Sequence, residues 1–170
     1  VGAFVLEPER RSAIRLDSEE LKAEGSMQRL FELRAILEIE AAGLAAERRN
    51  EASLKTIGEA LDRMSGEERW EGSIEADLVF HREIARATGN DYIYTFVCFI
   101  CEQIRRSIHI ARRTNPLPEL VEINVGEHVR IYQALVSGDA QAARQAMRDH
   151  IRRAGERVGA VSPERTVRSG

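Results

Sequence analysis

The fold class is decided by residues 93–108, which read IYTFVCFICEQIRRSI. Apolar side chains recur there at three- and four-residue spacing, at positions 93, 96, 97, 100, 101, 104 and 108. This is the period of an α-helix with one broad apolar face. Asn90 or Asp91 is a suitable N-cap, and two prolines, at 116 and 118, end the pattern. The stretch therefore predicts a helix that buries one face and runs to about Arg113.

The same period recurs on both sides of this stretch. The predicted helices run from Met27 to Asn50, from Asn50 to about Arg69, from about Glu71 to Thr88, from Asn90 or Asp91 to about Arg113, from about Glu119 to Ser137 and from about Ala140 to Val158. In the first helix, Ser26 is the predicted N-cap and the predicted apolar stripe is Leu30, Leu33, Leu37, Ala41 and Leu44. The architecture predicted from these patterns is an all-α antiparallel bundle of six helices.

The two ends of the chain read differently from the bundle. Residues 1–6, VGAFVL, predict a short strand, and the segment that follows to Gly25 is polar. After Gly159 the chain is polar again and predicts a loose tail. We therefore expect residues 1–25 to be the end of another structural unit, residues 26–158 to form one helical domain and residues 159–170 to form a flexible tail.

Composition restricts the class of protein. The 170 residues carry a formal charge of −3, with 31% charged and 43% hydrophobic residues, which is typical of one soluble globular domain and not of a polybasic nucleic-acid binder. No apolar run approaches the roughly 20 residues of a membrane span, so a cytoplasmic location is expected. Cys98 and Cys101 lie in an apolar helical pattern, which favours two buried thiols over a disulfide or half of a zinc site.

Three of the four histidines fall on inward helix faces. Asp77 and His81 are four residues apart, one helical turn, and His81 lies only about 20° around the helix from the apolar Ile74. His128 follows Val125 by three residues, as His150 follows Met147. These side chains therefore project into the core from three different helices, whereas His109 lies at the edge of its stripe and is left out of the predicted site.

Buried together, these groups need partners. Each polar group without a hydrogen bond costs on the order of 1–3 kcal/mol. Separate pairing of each histidine with a neighbouring helix is one solution, but one divalent cation satisfies Asp77, His81, His128 and His150 at once. Three imidazoles and one carboxylate suit zinc first, and also nickel, manganese or iron. Such a site keeps positive charge and open coordination positions, so it favours an anion such as a carboxylate.

An inward arginine indicates the same ligand. Arg34 falls on the apolar stripe of the first helix, and a buried guanidinium needs an anion, either a bound carboxylate or an internal Glu or Asp. Arg105 and Asn124 are weaker candidates for ligand contacts of the same kind.

Two other functions stay open at this level. A metal site with open positions could be that of a hydrolase or lyase acting on a small organic acid, which would require a general base. The acidic neighbours Glu75, Glu83, Glu127 and Asp149 are available, but Glu127 and Asp149 are predicted to face solvent. The third possibility is a helical dimerisation module stapled by a metal, with side chains filling the pocket.

The ordered set of motifs resembles a known family. Its residues are Leu33-Arg34, Asp77-x-x-x-His81, Ala87-Thr-Gly-Asn90, Glu127-His128 and His150. From about residue 27 to 158 they resemble the C-terminal effector-binding (FCD) domain of the FadR-type GntR transcriptional regulators. Gly2-Ala-Phe-Val5 is similar to the end of the wing of the winged-helix DNA-binding domain that precedes it in that family.

The resemblance implies a regulator and not an enzyme. The family's metal-ligand positions fall on Asp77, His81, His128 and His150, and Arg34 falls at a position similar to an effector-carboxylate contact. It further implies a homodimer, a small carboxylate effector such as lactate, gluconate or citrate, and a change in operator DNA affinity when that effector binds. DNA would be contacted only through the N-terminal domain, of which residues 1–25 would be the remnant of the wing and the linker.

Overall fold

The computed structural model describes residues 23–66, 70–111 and 118–160, and these form six α-helices without a strand. The helices are α1 Ser26–Arg48, α2 Glu51–Gly66, α3 Trp70–Ala87, α4 Asp91–Ala111, α5 Pro118–Ser137 and α6 Ala140–Arg157. The predicted helical bundle is confirmed, with helix ends that differ from the predicted ends by three residues at most. The strand predicted at residues 1–6 lies outside the described residues, as does most of the predicted tail.

Short turns with defined caps join the helices. Gly89 has φ 64° just after α3, and the side-chain oxygen of Asn90 accepts hydrogen bonds from the N–H groups of Tyr92 and Ile93 at the start of α4. Asp139 caps α6 in the same way. The prediction that Ser26 caps α1 was wrong, because the cap position is Gly25, with φ 71°, and no side chain bonds to the free N–H groups there.

Helix α1 lies at the centre of the bundle, where it packs against α3, α4, α5 and α6. Its buried face differs from the predicted stripe, since Leu33 is 39% exposed. The inward face includes the charged residues Arg34 and Glu38, which a pattern of apolar residues does not reveal. The buried residues of α1 are Leu30, Phe31, Arg34, Glu38, Ala41, Ala42, Gly43, Ala45 and Ala46. Phe96 of α4, also predicted to be buried, is 41% exposed.

Two apolar clusters fill the interior. The larger one joins α1, α2, α3, α5 and α6 around Phe80 and Met64, and the smaller one joins α1, α3 and α4 around Leu78 and Ile100. Cys101 is buried and Cys98 half-buried, and both thiols are free. Within the described ranges, no helix has the length and apolar character that crossing a membrane requires.

Candidate metal centre

The four predicted metal ligands meet at one point in the bundle. Asp77 and His81 come from α3, His128 from α5 and His150 from α6, and one ligand atom from each lies within 4.8 Å of all the others. The three histidines are 0–1% exposed, and the side chain of Asp77 is 17% exposed. The helical spacing that predicted inward faces on α3, α5 and α6 thus brings the donors of three helices together.

The Nε2 atoms of the histidines face the common centre. Nε2 of His128 lies 3.1 Å from Oδ1 of Asp77, and Nε2 of His81 lies 3.8 Å from Oδ2 of the same carboxylate. Nε2 of His81 and Nε2 of His150 are 3.2 Å apart. The donor atoms therefore form a compact set of three ring nitrogens and a carboxylate.

The opposite ring nitrogen of each histidine faces an acceptor. Nδ1 of His128 donates to the backbone carbonyl of Asn124 at 2.8 Å, and Nδ1 of His150 donates to Oε2 of Glu127 at 3.0 Å. Nδ1 of His81 lies 2.5 Å from Oε2 of Glu38. Because a carbonyl and a carboxylate only accept, His128 and His150 carry the ring proton on Nδ1 and direct the lone pair of Nε2 toward the centre. Nε2 of His81 accepts from the guanidinium of Arg34, which can only donate, so the proton of His81 also lies on Nδ1.

Lone pairs that face one another in a buried site call for a cation. Among the described residues, Nε2 of His128 is a buried atom with no hydrogen-bond partner, although a carboxylate oxygen of Asp77 is its neighbour. Two acceptors at this distance repel each other unless a proton or a metal ion lies between them. Three neutral imidazoles and a carboxylate are the donors that zinc and similar divalent ions take, so the residues present fit a metal.

The net effect of burial and neighbouring charges is a lowered pKa for His81, His150 and Asp77. Burial lowers the pKa of His81, which the nearby Glu38 only partly offsets, and burial together with the charges of His128 and His81 holds the pKa of His150 well below its usual range. Burial works against the charge of Asp77, but the neighbouring His128, His81 and Arg34 together outweigh it, and the pKa of Asp77 lies well below its usual range. At neutral pH His81 and His150 are thus neutral and Asp77 is ionised, which are the forms that bind metal.

Arg34 lies directly beside the centre, with 3% of its surface exposed. Its Nε donates to Oε1 of Glu38 at 3.0 Å, and its Nη2 lies 2.8 Å from Nε2 of His81. Burial opposes its charge, but Glu38 and Asp77 outweigh that effect and raise its pKa. The internal ion pair foreseen as an alternative partner is therefore present, and the guanidinium also contacts His81, one of the candidate ligands.

The two weaker candidates separate in space. Asn124 lies in the cluster, where its side-chain nitrogen donates to Oδ1 of Asp77 at 3.2 Å. Arg105 forms its ion pair with Glu102 at 2.7 Å instead, and its side chain is 40% exposed. The geometry therefore joins Asn124 to the candidate centre and gives Arg105 a partner on its own helix.

Two buried glutamates were not foreseen. Glu38 follows Arg34 by one helical turn, a spacing that could have revealed the pair. The prediction that Glu127 faces solvent was wrong: Glu127 is 2% exposed and bonds to His150 and Arg157. Neighbouring residues on a helix are about 100° apart, but Glu127 is buried beside His128 because His150 and Arg157 of α6 bind its carboxylate.

Comparison with known proteins assigns the chain to a protein family. The model of the FCD domain matches residues 29–153, most of the described bundle. The chain belongs to the FCD domain family. The resemblance to the effector domain of GntR-type regulators is thereby confirmed.

Two curated relatives of the FCD chain are transcriptional regulators. The HTH-type transcriptional regulator LutR of Bacillus subtilis (strain 168) is 34% identical over 133 residues, which is 74% of this chain and 58% of LutR. An uncharacterized HTH-type transcriptional regulator in an unstable DNA locus of Streptomyces ambofaciens is 30% identical over 115 residues, 64% of this chain and 48% of that protein. The chain thus spans about half of each relative's length, and both are regulators rather than enzymes.

Solved structures share the fold. Streptococcus agalactiae GntR superposes with a TM-score of 0.64 at 23% identity, over 81% of this chain and 59% of that one. E. coli McbR/YncC superposes with a TM-score of 0.68 at 17% identity, over 78% and 67% of the two chains. At these identities the likeness establishes the helical architecture of the FCD domain.

Proposed function

We propose that this FCD domain senses a small carboxylate through a divalent metal ion held by Asp77, His81, His128 and His150. The observation that carries the proposal is the convergence of their four ligand atoms, within 4.8 Å of one another, at the centre of a buried cluster. Zinc is the metal we expect, with nickel, manganese or iron as the alternatives that the same donors accept. A bound metal would supply a Lewis-acidic position for the effector's carboxylate.

Arg34 supports the choice of a carboxylate. Its guanidinium lies 2.8 Å from Nε2 of His81, so an anion at the metal would also be within reach of its N–H groups. A planar guanidinium binds a carboxylate with two parallel hydrogen bonds, which an exposed lysine does not reproduce. Asn124, which donates to Asp77, is the second polar side chain that we place near the effector.

The signal would leave the site through α1. This helix carries Arg34 and Glu38 and packs against four other helices of the bundle. An effector that pulls on Arg34 would therefore shift α1 relative to those helices. In a complete regulator, α1 would connect to the N-terminal DNA-binding domain, and a homodimer would convert a small helix shift into a different spacing of its two operator contacts. The whole regulator would act in the cytoplasm on operator DNA.

Metal content tests the first half of the proposal. The unmutated chain, prepared without chelator, should carry close to one divalent ion per chain by elemental analysis. His81→Ala and His150→Ala should lose most of that ion, whereas His109→Ala, at the histidine that sequence analysis leaves outside the site, should retain it. Unmutated protein without bound metal, and unable to take up added Zn²⁺, would overturn the proposal.

A carboxylate screen tests the second half. For the metal-loaded chain, thermal unfolding in the presence of small hydroxy and keto acids should identify at least one carboxylate that raises Tm, and the same compound should have no effect on His81→Ala. A metal-loaded chain whose Tm responds to no carboxylate would support the purely structural metal staple instead. The regulatory step is tested by titrating the full-length protein on its operator, where an effector that leaves DNA affinity unchanged would contradict it.

A further inference from the structure

Arg157, in the last turn of α6, donates a bidentate pair of hydrogen bonds to the buried carboxylate of Glu127. Nη1 donates to Oε1 of Glu127 at 3.0 Å and Nη2 donates to Oε2 at 2.9 Å. The same Nη2 donates to the side-chain oxygen of Asn124 at 3.2 Å. The side chain of Glu127 is 1% exposed and that of Arg157 22%, so the pair lies at the boundary between the core and the surface.

The two partners of this arginine hold three of the four candidate ligands. Glu127 accepts the Nδ1 proton of His150 at 3.0 Å. Asn124 donates its amide to Oδ1 of Asp77 at 3.2 Å, and its backbone carbonyl accepts the Nδ1 proton of His128 at 2.8 Å. Arg157, which is partly accessible to solvent, thus binds both residues that orient candidate ligands from three helices.

We propose that Arg157 is a positioning residue for the metal centre and couples its affinity to the C-terminal end of α6. This inference rests on the proposed function, since it concerns the same site. Groups behind metal ligands fix ring orientation and tautomer, and their loss commonly costs 10–100-fold in metal affinity. Arg157 does this twice, by fixing the carboxylate of Glu127 and by fixing which end of the Asn124 amide faces Asp77.

Removal of Arg157 would act through both contacts. Glu127 would keep Arg153 as its remaining arginine, and Nη1 of that residue lies at 3.8 Å, beyond hydrogen-bond distance. The buried carboxylate would then no longer be held in the orientation that receives Nδ1 of His150. The Asn124 amide would lose the donor that holds its oxygen away from the Asp77 carboxylate.

The test compares arginines of one helix in the full chain. Arg157→Ala and Arg157→Lys are measured beside Arg152→Ala, because Arg152 forms its ion pair with Glu156 at 2.7 Å and serves as the matched control. Affinity for Zn²⁺ is measured by competition with a chelator. The ring tautomer of His150 is measured by ¹⁵N NMR on the metal-free chain, a property that a purely structural role would leave unchanged.

We expect Arg157→Ala to weaken Zn²⁺ binding by about 10–100-fold and to shift His150 from the Nδ1–H form to a mixture of tautomers. Arg157→Lys keeps the charge without the fork, so it should give an intermediate loss and remain informative if the alanine variant fails to fold. Arg152→Ala should stay within about twofold of the unmutated affinity, since its charge lies on the outer side of the helix.

The outcomes separate the two proposals. Variants of Arg157 that fold and retain both the Zn²⁺ affinity and the His150 tautomer of the unmutated chain would overturn the positioning role. An unmutated chain that binds no Zn²⁺ would overturn the proposed function, while the tautomer comparison would still decide whether Arg157 orients His150. An equal loss of affinity in Arg152→Ala would also count against the proposal, because it would indicate a general effect of charge on α6.

Discussion

Nε2 of His81 and Nε2 of His150 lie 3.2 Å apart, and a buried glutamate stands behind each ring. Glu38 faces Nδ1 of His81 and pairs with Arg34, as Glu127 faces Nδ1 of His150 and pairs with Arg157. The two histidines are therefore oriented by two arginine–glutamate pairs, one within α1 and one that joins α5 to α6. Each pair neutralises a buried carboxylate while leaving its second role, at the ring nitrogen, intact.

Glu38→Gln keeps the shape of the side chain and removes its negative charge. We expect lower stability of the metal-free chain, by about 3–5 kcal/mol if Arg34 remains buried without a counter-charge. Metal affinity should fall as well, since an amide at this position no longer selects the Nδ1–H form of His81. Urea unfolding and chelator competition measure the two effects. Glu40→Gln, at an exposed position of the same helix, is the control and should change neither.

Phe80 packs against the site. Its ring is fully buried, and the ring centroid lies 4.9 Å from that of His128 and 5.9 Å from that of His81. Phe80→Ala should lower the free energy of unfolding by about 3–5 kcal/mol because it leaves a cavity in the core. Phe96→Ala, which removes the same side chain from a 41% exposed position, should cost far less. If urea unfolding showed equal losses of unfolding free energy for the two variants, the burial of Phe80 would not contribute to stability as proposed.

Helix positions could be predicted from sequence because apolar spacing and capping residues are local properties. Asn90, for example, caps a helix that begins at the next residue, and it lies where the sequence predicted a cap for α4. The inward faces of His81, His128 and His150 follow from the same periodicity, as their burial shows. The meeting of these faces at one point depends on how the helices pack.

The partners of the ligands could not be predicted in the same way. Glu127 was assigned to solvent because it lies about 100° around the helix from the inward His128, and its partner Arg157 is 30 residues away on another helix. Glu38 lies on the face of Arg34, but an amphipathic stripe of apolar residues gives no sign of a buried ion pair. Leu33 was misplaced for the same reason, since the stripe was drawn through apolar residues alone.

Acid should destabilise the metal-free chain from near neutral pH downward. His81 and His150 have lowered pKa values in the fold, so the unfolded chain binds their protons first and stability declines below about pH 6.5. Burial raises the pKa of Glu38, but Arg34 and His81 outweigh it and lower the value to about 2, so the stability from this carboxylate is present above pH 4.5 and lost between 4.5 and 2.

Urea unfolding at pH 7.5, 5.5 and 4.0 measures this dependence. The expected result is a free energy of unfolding that falls at each step. Glu59→Gln, at an exposed carboxylate of α2 that lies 4.0 Å from Nζ of Lys55, should follow the same profile as the unmutated chain. A stability that stays constant from pH 7.5 to 4.0 would contradict the burial of neutral histidines on which the site depends.

Arg34 and Arg105 offer a direct comparison of two candidate effector contacts. Arg34→Lys keeps a positive charge beside Glu38 but loses the planar fork, so metal content should stay close to that of the unmutated chain while the affinity for a carboxylate effector falls, by about tenfold or more for one lost charge-assisted bond. Arg105→Lys changes a side chain that is 40% exposed and bonded to Glu102, and the effector affinity should remain within twofold of the unmutated value. Calorimetric titration of the metal-loaded variants with the carboxylate found by thermal shift decides between them. A larger loss in Arg105→Lys would move the effector away from the face of α1 and remove the route by which α1 is proposed to carry the signal.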